Sequence, residues 1–526
     1  MFLELPLEVT LLILLELQPQ DLLVCRLVSK HFDNIVRDSL ELQYATALVA
    51  AKAKNNVYCN LPIAQKFQAL HAAQKAWAFL RPRFSKSIPI PYRNLGASLH
   101  TGGVYFVVNS TRMHVHYFYL PKKENEDVVW KEVVSEKVII AVGPCVDEHD
   151  LLVLITAKFC GLKRYEIDLG FVELCTGNAH PDARESCIHV MTAEWADPTV
   201  GIEIIADSLV LILCFERIPE DQIFIYHWKT GVLTMKFQVP KGSYQDIVFL
   251  TEHLMLLPNK LNKSLDVFRI PIAPTTVSPS PILNLCLPVL REGDELDEIS
   301  CRSEPSLRNS GRLRKLGRHG GTGPASRAFV ATAEDAICLV SLRISVSIDT
   351  YDGEPSDFEP MRSLTFIVHR NALRALVDEY AGNNSEEEGG VIIVPWATWG
   401  PPITRWFNLA GYSGGWITVT AGQRYVVMPQ DWSLSGVGVP MYVLDFNGEN
   451  VNRYYANAEG GNALILSKNE KSGEVCCSSC KVQPTGIFAE PVCGALPYVG
   501  CTSKARYTFD GVLLDEERVI GLKASN

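Results

Sequence analysis

No arginine or lysine precedes Arg26, and Glu4, Glu8 and Glu16 punctuate the apolar start of the chain, so the basic n-region of a secretory signal peptide is missing. The uninterrupted apolar run there falls far short of the roughly 20 residues that span a bilayer. A P-loop, an HExxH zinc motif and a dinucleotide fingerprint are all absent, which removes three common routes to nucleotide and metal chemistry. Positive charge is short as well: 49 Lys and Arg against 59 Asp and Glu leave a net charge of −10, which argues against a general nucleic-acid binder. Cysteine is not scarce, but 15 scattered cysteines without a leader read as reduced thiols of an intracellular protein, in cytoplasm, nucleus or both. With 526 residues, 47% of them hydrophobic, and a mean hydropathy near zero, the chain is expected to form two or more soluble domains.

The first forty residues are the most informative. Leu5 to Leu17 reads as a helix that is apolar almost all round. Val9, Leu12, Ile13 and Leu17 fall on the spacing of one buried stripe, while Leu11, Leu14 and Leu15 take neighbouring faces. One small helical unit cannot hide both sets, so a partner surface is expected. Pro19 and Asp21 open a second helical piece with Leu22, Leu23, Val24, Leu27 and Val28 as its apolar face. Ser29 is placed to cap a third, from Lys30 to Val36, whose Phe32, Ile35 and Val36 return to the same core.

The ordered pattern Leu5-Pro6-x-Glu8, Ile13-Leu14, Leu17, Asp21-Leu22, Arg26-Leu27-Val28-Ser29-Lys30-x-Phe32 and Ile35-Val36 resembles an F-box. Ser29 stands where many members of that family carry cysteine. The resemblance implies docking on a Skp-family adaptor and, through it, a cullin and RING scaffold of a ubiquitin ligase. It also implies roles: Leu5 and Pro6 open the adaptor contact, and Ile13, Leu14, Leu17, Leu22, Leu23 and Val28 are divided between adaptor surface and F-box core in a way the sequence leaves open.

From Leu40 to about Phe79 the chain is rich in Ala, Gln, Lys and Leu, and Ile63, Phe67, Leu70, Ala73, Ala76 (or Trp77) and Leu80 mark an amphipathic stripe. Pro82, Pro89 and Pro91 end it. The segment Leu70-His71-Ala72-Ala73-Gln74-Lys75-Ala76-Trp77 looks like the linker helix of F-box proteins common in mushroom-forming fungi. Val394 to Phe407 and Phe509 to Leu522 look like the C-terminal segments of that same type.

Beyond residue 92 short β-branched and aromatic runs alternate with turn signals, which predicts a sandwich, barrel or propeller. A unit recurs in which an acidic residue leads into an apolar strand and then a more polar one. It spans Asp147 to Ile155 with Lys163 to Leu169, Asp207 to Cys214 with Gln222 to Trp228, and Glu252 to Leu257 with Ser264 to Ile270. Trp228-Lys229-Thr230-Gly231 looks like the end of a propeller blade, although the Trp-Asp and Gly-His signatures of WD repeats are missing. The expected architecture is therefore α+β and multidomain: an F-box over 1–45, a helical linker over 46–91 and a large all-β domain over 92–526. An irregular β-propeller is favoured for the last, with a β-sandwich as the alternative. A basic, Gly- and Ser-rich stretch at 302–327 reads as a disordered loop, and Ser385 to Glu388 as an acidic loop tip.

Chemistry-bearing patterns are few. Gly411-Tyr412-Ser413-Gly414-Gly415 matches a nucleophile elbow, and a serine hydrolase centred on Ser413 is the alternative function. The residues that follow, Trp416 to Thr420, read as strand, which favours a Gly-rich hairpin turn. In the constellation with Cys476, Cys477 and Cys480 form one close pair, but Cys493 and Cys501 are separated by seven residues and no histidine lies nearby, so neither structural zinc nor a local disulfide is favoured. Trp396, Trp399 and Trp406 suit either a recognition surface or a core. The reading as a whole is a substrate receptor, or a scaffold that targets nothing for degradation, with a Skp-family adaptor, a cullin and an unknown protein substrate as partners. No catalytic residue, cofactor, metal, nucleic acid or membrane is called.

Overall fold

The computed structural model describes residues 5–17, 19–92, 94–161, 164–195, 197–307, 327–346, 361–382, 390–408, 418–429, 437–459, 474–476, 480–482 and 487–523. Five helices come first: α1 (Leu7–Leu15), α2 (Pro19–Val28), α3 (Lys30–Asp38), α4 (Leu40–Ala50) and α5 (Ile63–Ala78). The two serines that end α2 and α3 each cap the next helix. Ser29 Oγ accepts from Phe32 N at 3.2 Å, and Ser39 Oγ from Leu42 N at 3.3 Å. Each bond satisfies one of the orphan N–H groups of a helix start.

The remainder is a six-bladed β-propeller, and the sandwich alternative is set aside by the order of its sheets. Blade 1 contains Asn94–Thr101, Val104–Asn109, His114–Tyr119 and Lys131–Val134; blade 2 Val138–Cys145, Leu151–Gly161, Arg164–Glu173 and Cys187–Ala193. Blade 3 contains Thr199–Ile205, Ser208–Cys214, Glu220–His227 and Val232–Pro240; blade 4 Val248–Thr251, Leu254–Asn259, Ser264–Arg269 and Leu283–Cys286. Blade 5 contains Glu295–Arg302, Ile337–Ser345, Met361–His369 and Thr404–Asn408; blade 6 Thr420–Ala421, Arg424–Val427, Val439–Asp445 and Tyr498–Tyr507, with Glu474–Cys476 outermost. The three recurring units seen in the sequence are the second and third strands of blades 2, 3 and 4. Trp228 directly follows the third strand of blade 3 rather than ending the blade itself, fully buried, with Nε1 donating to Ala206 O at 2.9 Å.

The first strand of blade 3 touches the first strands of blades 2 and 4 on either side of it. Room is tight there. A Cβ on Gly143 would meet Ile202 Cδ1 at 2.7 Å, and one on Gly201 would meet Gln245 O at 2.5 Å, so glycine lets the inner strands converge.

Blades 5 and 6 are interrupted, which is why their repeat is hard to see. Between the third and fourth strands of blade 5 the chain makes a helix, Arg370–Tyr380, then a strand, Ile392–Val394, that pairs parallel with Leu283–Cys286 of blade 4. A second helix, Trp396–Ile403, returns it to blade 5. Trp399 and Trp406, each 1% exposed, pack with Trp396, Phe366 and Phe488 in the core between these blades, and Trp399 Nε1 donates to Cys286 O at 2.9 Å. The tryptophan cluster is core.

Among the described residues the ring closes without strand exchange. A hairpin, Gly511–Leu514 with Val519–Leu522, sits between the last blade and the first. Strand alternation sends Val512 and Leu514 into the blade 6 core and Leu513 into the blade 1 core beside Tyr105 and Phe118. Leu514 N donates to Thr418 O at 2.9 Å, and Thr418 Oγ1 to His100 O at 2.9 Å. A cavity of about 30 Å³ opens at this seam among His100, Asp147, Arg327 and Asp515. Burial alone raises the Asp515 carboxyl, but His100, Arg518 and Arg327 together hold it below its ordinary range.

Candidate docking surface

The N-terminal core consists of Leu14, Leu22, Ile35, Val36 and Leu42, with Leu11, Leu17, Cys25 and Phe32 packed against it. Because α1 lies against α4, whose Leu42 is fully buried, its inward face carries Thr10 and Leu14. The predicted stripe is corrected here: Val9 and Leu12 point outward, at 40% and 66% exposure, while Leu14 points in at 1%. A helix apolar on every side has no preferred inward face of its own, so the packing partner chooses it.

Two outward stripes result. On α1 and the residues leading into it these are Leu5, Leu7, Val9, Leu12 and Leu15; on α2 they are Val24, Leu27 and Val28, the last two at 86% and 69% exposure. Arg26 Nε donates to Asp33 Oδ1 at 2.8 Å and Arg37 pairs with Asp33 at 3.0 Å, which fixes α2 against α3. Exposed leucine and valine at this density on two consecutive helices mark an interaction surface.

The candidate contact residues are thus spread over three settings. Leu5, Pro6 and Val28 are exposed, Ile13 and Leu17 half-buried, and Leu14 and Leu22 inside. The Leu23 side chain lies outside the described residues. The sequence reading passed over Leu7, Val24 and Leu27 as contacts, although Val24, Leu27 and Val28 show i, i+3, i+4 spacing. Leu14→Ala should destabilise the helical unit by about 2–5 kcal/mol. Amide exchange would speed up across α1 to α3 while the propeller strands keep their protection; uniform exchange through both would contradict a separate N-terminal core.

Helix α4 passes from this core into a second one, where Tyr44 and Leu48 pack with Leu70 of α5. The two helices are bolted to the propeller. Between them the linker, read from sequence as wholly helical, also makes a short strand, Ala53–Asn55, antiparallel to Phe329–Ala331. Asn56 Nδ2 donates to Arg327 O at 2.7 Å, Asn447 Nδ2 to Ala50 O at 2.9 Å and Trp77 Nε1 to Glu516 O at 3.3 Å. The Arg424 guanidinium lies 4.9 Å from the Trp77 ring centre.

The remaining sequence motifs fall largely outside the described residues. Ser413 and its glycines, residues 308–326 of the basic stretch, Ser385 to Glu388 and Cys477 lie outside the described residues, as do the side chains of Cys476 and Cys480. Cys493 and Cys501 are free thiols. Among the described residues no helix is long and apolar enough to cross a membrane.

Residues 2–42 match the F-box-like family model. No curated protein matches the chain. Among solved structures it is similar to the C-terminal WD40 domain of Sif2, at 10% identity and a TM-score of 0.29, over 66% of this chain and 80% of that one. It is also similar to Hsv2p of Kluyveromyces lactis, at 8% identity and a TM-score of 0.27, over 67% and 93%. The Dos1 propeller matches at 9% identity and a TM-score of 0.23, over 34% and 44%. The chain is thus an F-box-like domain joined to a six-bladed propeller.

Proposed function

We propose that this chain is a substrate receptor of an SCF-type ubiquitin ligase. The exposed apolar stripes of α1 and α2 dock on a Skp-family adaptor, the adaptor joins the chain to a cullin and RING scaffold, and the propeller captures a protein target. The chain makes no bond itself. Holding a target beside a ubiquitin-charged enzyme raises the effective concentration of the reacting lysine. The observation that carries the reading is the second apolar face of a unit whose own core is already complete without it. The clamped α4 and α5 support it too, since a receptor that holds its docking unit at a fixed angle presents its target at a fixed distance.

On this reading the F-box ends within α4, the linker reaches residue 91 and the propeller begins at residue 92. The protein works in the cytoplasm or nucleus, and the resemblance of its segments Leu70 to Trp77, Val394 to Phe407 and Phe509 to Leu522 supports an origin among mushroom-forming fungi. Co-expression with a Skp-family adaptor should give a stoichiometric complex on size-exclusion chromatography, and adding cullin and RING subunits should yield ubiquitylation of co-purified protein. Failure to form the adaptor complex would sink the proposal. A complex that never ubiquitylates anything would leave a scaffold instead.

A further inference from the structure

Blade 1 carries a cluster that the docking function does not use. His114 and His116 alternate along the third strand and so share a face, and Glu132 of the fourth strand lies directly across from His116. Glu132 Oε2 is 3.4 Å from His114 Nδ1 and 3.8 Å from His116 Nδ1, and the three donor atoms all lie within 4.8 Å of one another. A tetrahedral ion with bonds of about 2.0–2.1 Å spaces its ligand atoms about 3.4 Å apart. The Nδ1 of His114 is buried and has no hydrogen-bond partner, although it faces that carboxylate.

The rings are held ready. Tyr92 stacks on His116 with centroids 3.5 Å apart and planes 4° from parallel, and His114 lies parallel to His116 at 5.8 Å. Stacking covers ring faces and leaves the ring edges free, and a metal binds at an edge. Lys131 turns to the opposite face of the sheet, over Tyr119, and away from the Glu132 carboxylate.

We propose that His114, His116 and Glu132 bind one divalent transition-metal ion of the zinc class. Two imidazoles and a carboxylate are a borderline donor set that suits such ions rather than calcium or magnesium. His114 and Glu132 are 35% and 54% exposed, so the fourth position opens to solvent, for a water or a side chain of a bound protein. The ion would tie the outer strand of blade 1 to its neighbour, next to the end of the linker at Tyr92.

The test uses the full-length protein, stripped with chelator and titrated with Co²⁺, with Zn²⁺ as displacing ion. One equivalent of cobalt should bind with ligand-field bands but no thiolate charge-transfer band, which separates this site from the cysteines. His114→Ala and Glu132→Gln should each weaken binding by at least about 100-fold, more than loss of an outer-shell partner does. Zinc should raise the melting temperature of the unsubstituted protein and of neither variant. Both variants should melt like the unsubstituted protein in chelator, and if one does not, the other carries the comparison. Equal cobalt affinity in both variants, a thiolate band from the bound ion, or no cobalt bound at large excess would each overturn the proposal.

Discussion

A Leu12→Glu, Leu27→Glu double substitution is expected to abolish recovery of the Skp-family adaptor while leaving the fold intact. Both side chains point into solvent, at 66% and 86% exposure, so neither contributes to the N-terminal core. In a docked complex each would be buried. A leucine taken fully out of water contributes about 1.5–3 kcal/mol, and a glutamate in its place adds the cost of burying an unpaired charge. Even the lower figure, taken twice, weakens binding by about 100-fold at 1.4 kcal/mol per tenfold. The control is Leu14→Ala, which strikes the core instead: it should lower stability first and lose the adaptor only through unfolding. Melting curves and adaptor titrations on both variants separate the two mechanisms. Equal adaptor affinity in the double variant would remove the outward stripes from the docking surface.

Acidification between pH 6.5 and about 4 is the second large effect. His149 follows the first strand of blade 2, is 3% exposed and lies edge-on to Trp228 at 5.1 Å. Burial, helped by the Lys229 ammonium, pushes its imidazole down to about 4, against opposing pulls from the Ala206 backbone and Asp207. The folded protein therefore resists protonation of His149, whereas the unfolded chain takes up that proton near pH 6.5. The unfolded state binds more protons throughout this window, so stability is fully present above pH 6.5 and falls as the pH drops through it. A shift from 6.5 to about 4 corresponds to roughly 3 kcal/mol at 1.36 kcal/mol per unit. His100 and His369, both lowered by burial, act in the same direction. Glu203 opposes them. Burial raises its carboxyl to about 7, and it loses stability as the pH rises through that value. For this reason the decisive measurement is a difference: denaturant midpoints of unsubstituted protein and His149→Gln across pH 4 to 7. The variant should show a shallower slope on the acid side, and parallel curves would contradict a neutral buried His149.

How far the fold could be read from the sequence depended on whether the deciding forces were local. Helix boundaries at Pro19, Ser29 and Ser39 are set by backbone chemistry within a few residues, and Ser29 caps α3 as its position suggested. The choice of face on α1 depends on α4, whose Leu42 lies about thirty residues further on, and the stripe drawn through Val9 and Leu12 missed it. Blades 2 to 4 announced themselves because their central strands are apolar on both sides and follow one another closely. Blade 5 did not, because thirty-odd residues of helix, strand and helix separate its last two strands. The His-Val-His triplet of blade 1 was visible as letters, yet its third donor comes from Glu132, and only the pairing register of two strands brings that residue opposite.

Trp77 and Ala78, near the end of α5, meet their partners Arg424, Cys501 and Glu516 more than three hundred residues later in the chain. During synthesis, then, the docking helices emerge complete while the surface that orients them does not yet exist. A chain that stops within blade 6 keeps the strand pairing of Ala53–Asn55 with Phe329–Ala331 but lacks the partners of Trp77 and Ala78 that lie beyond it, so the end of α5 loses its seat while the linker strand stays anchored. The angle of α5 against the propeller thus depends on blade 6 and the hairpin that follows it, segments made long after the helix they seat.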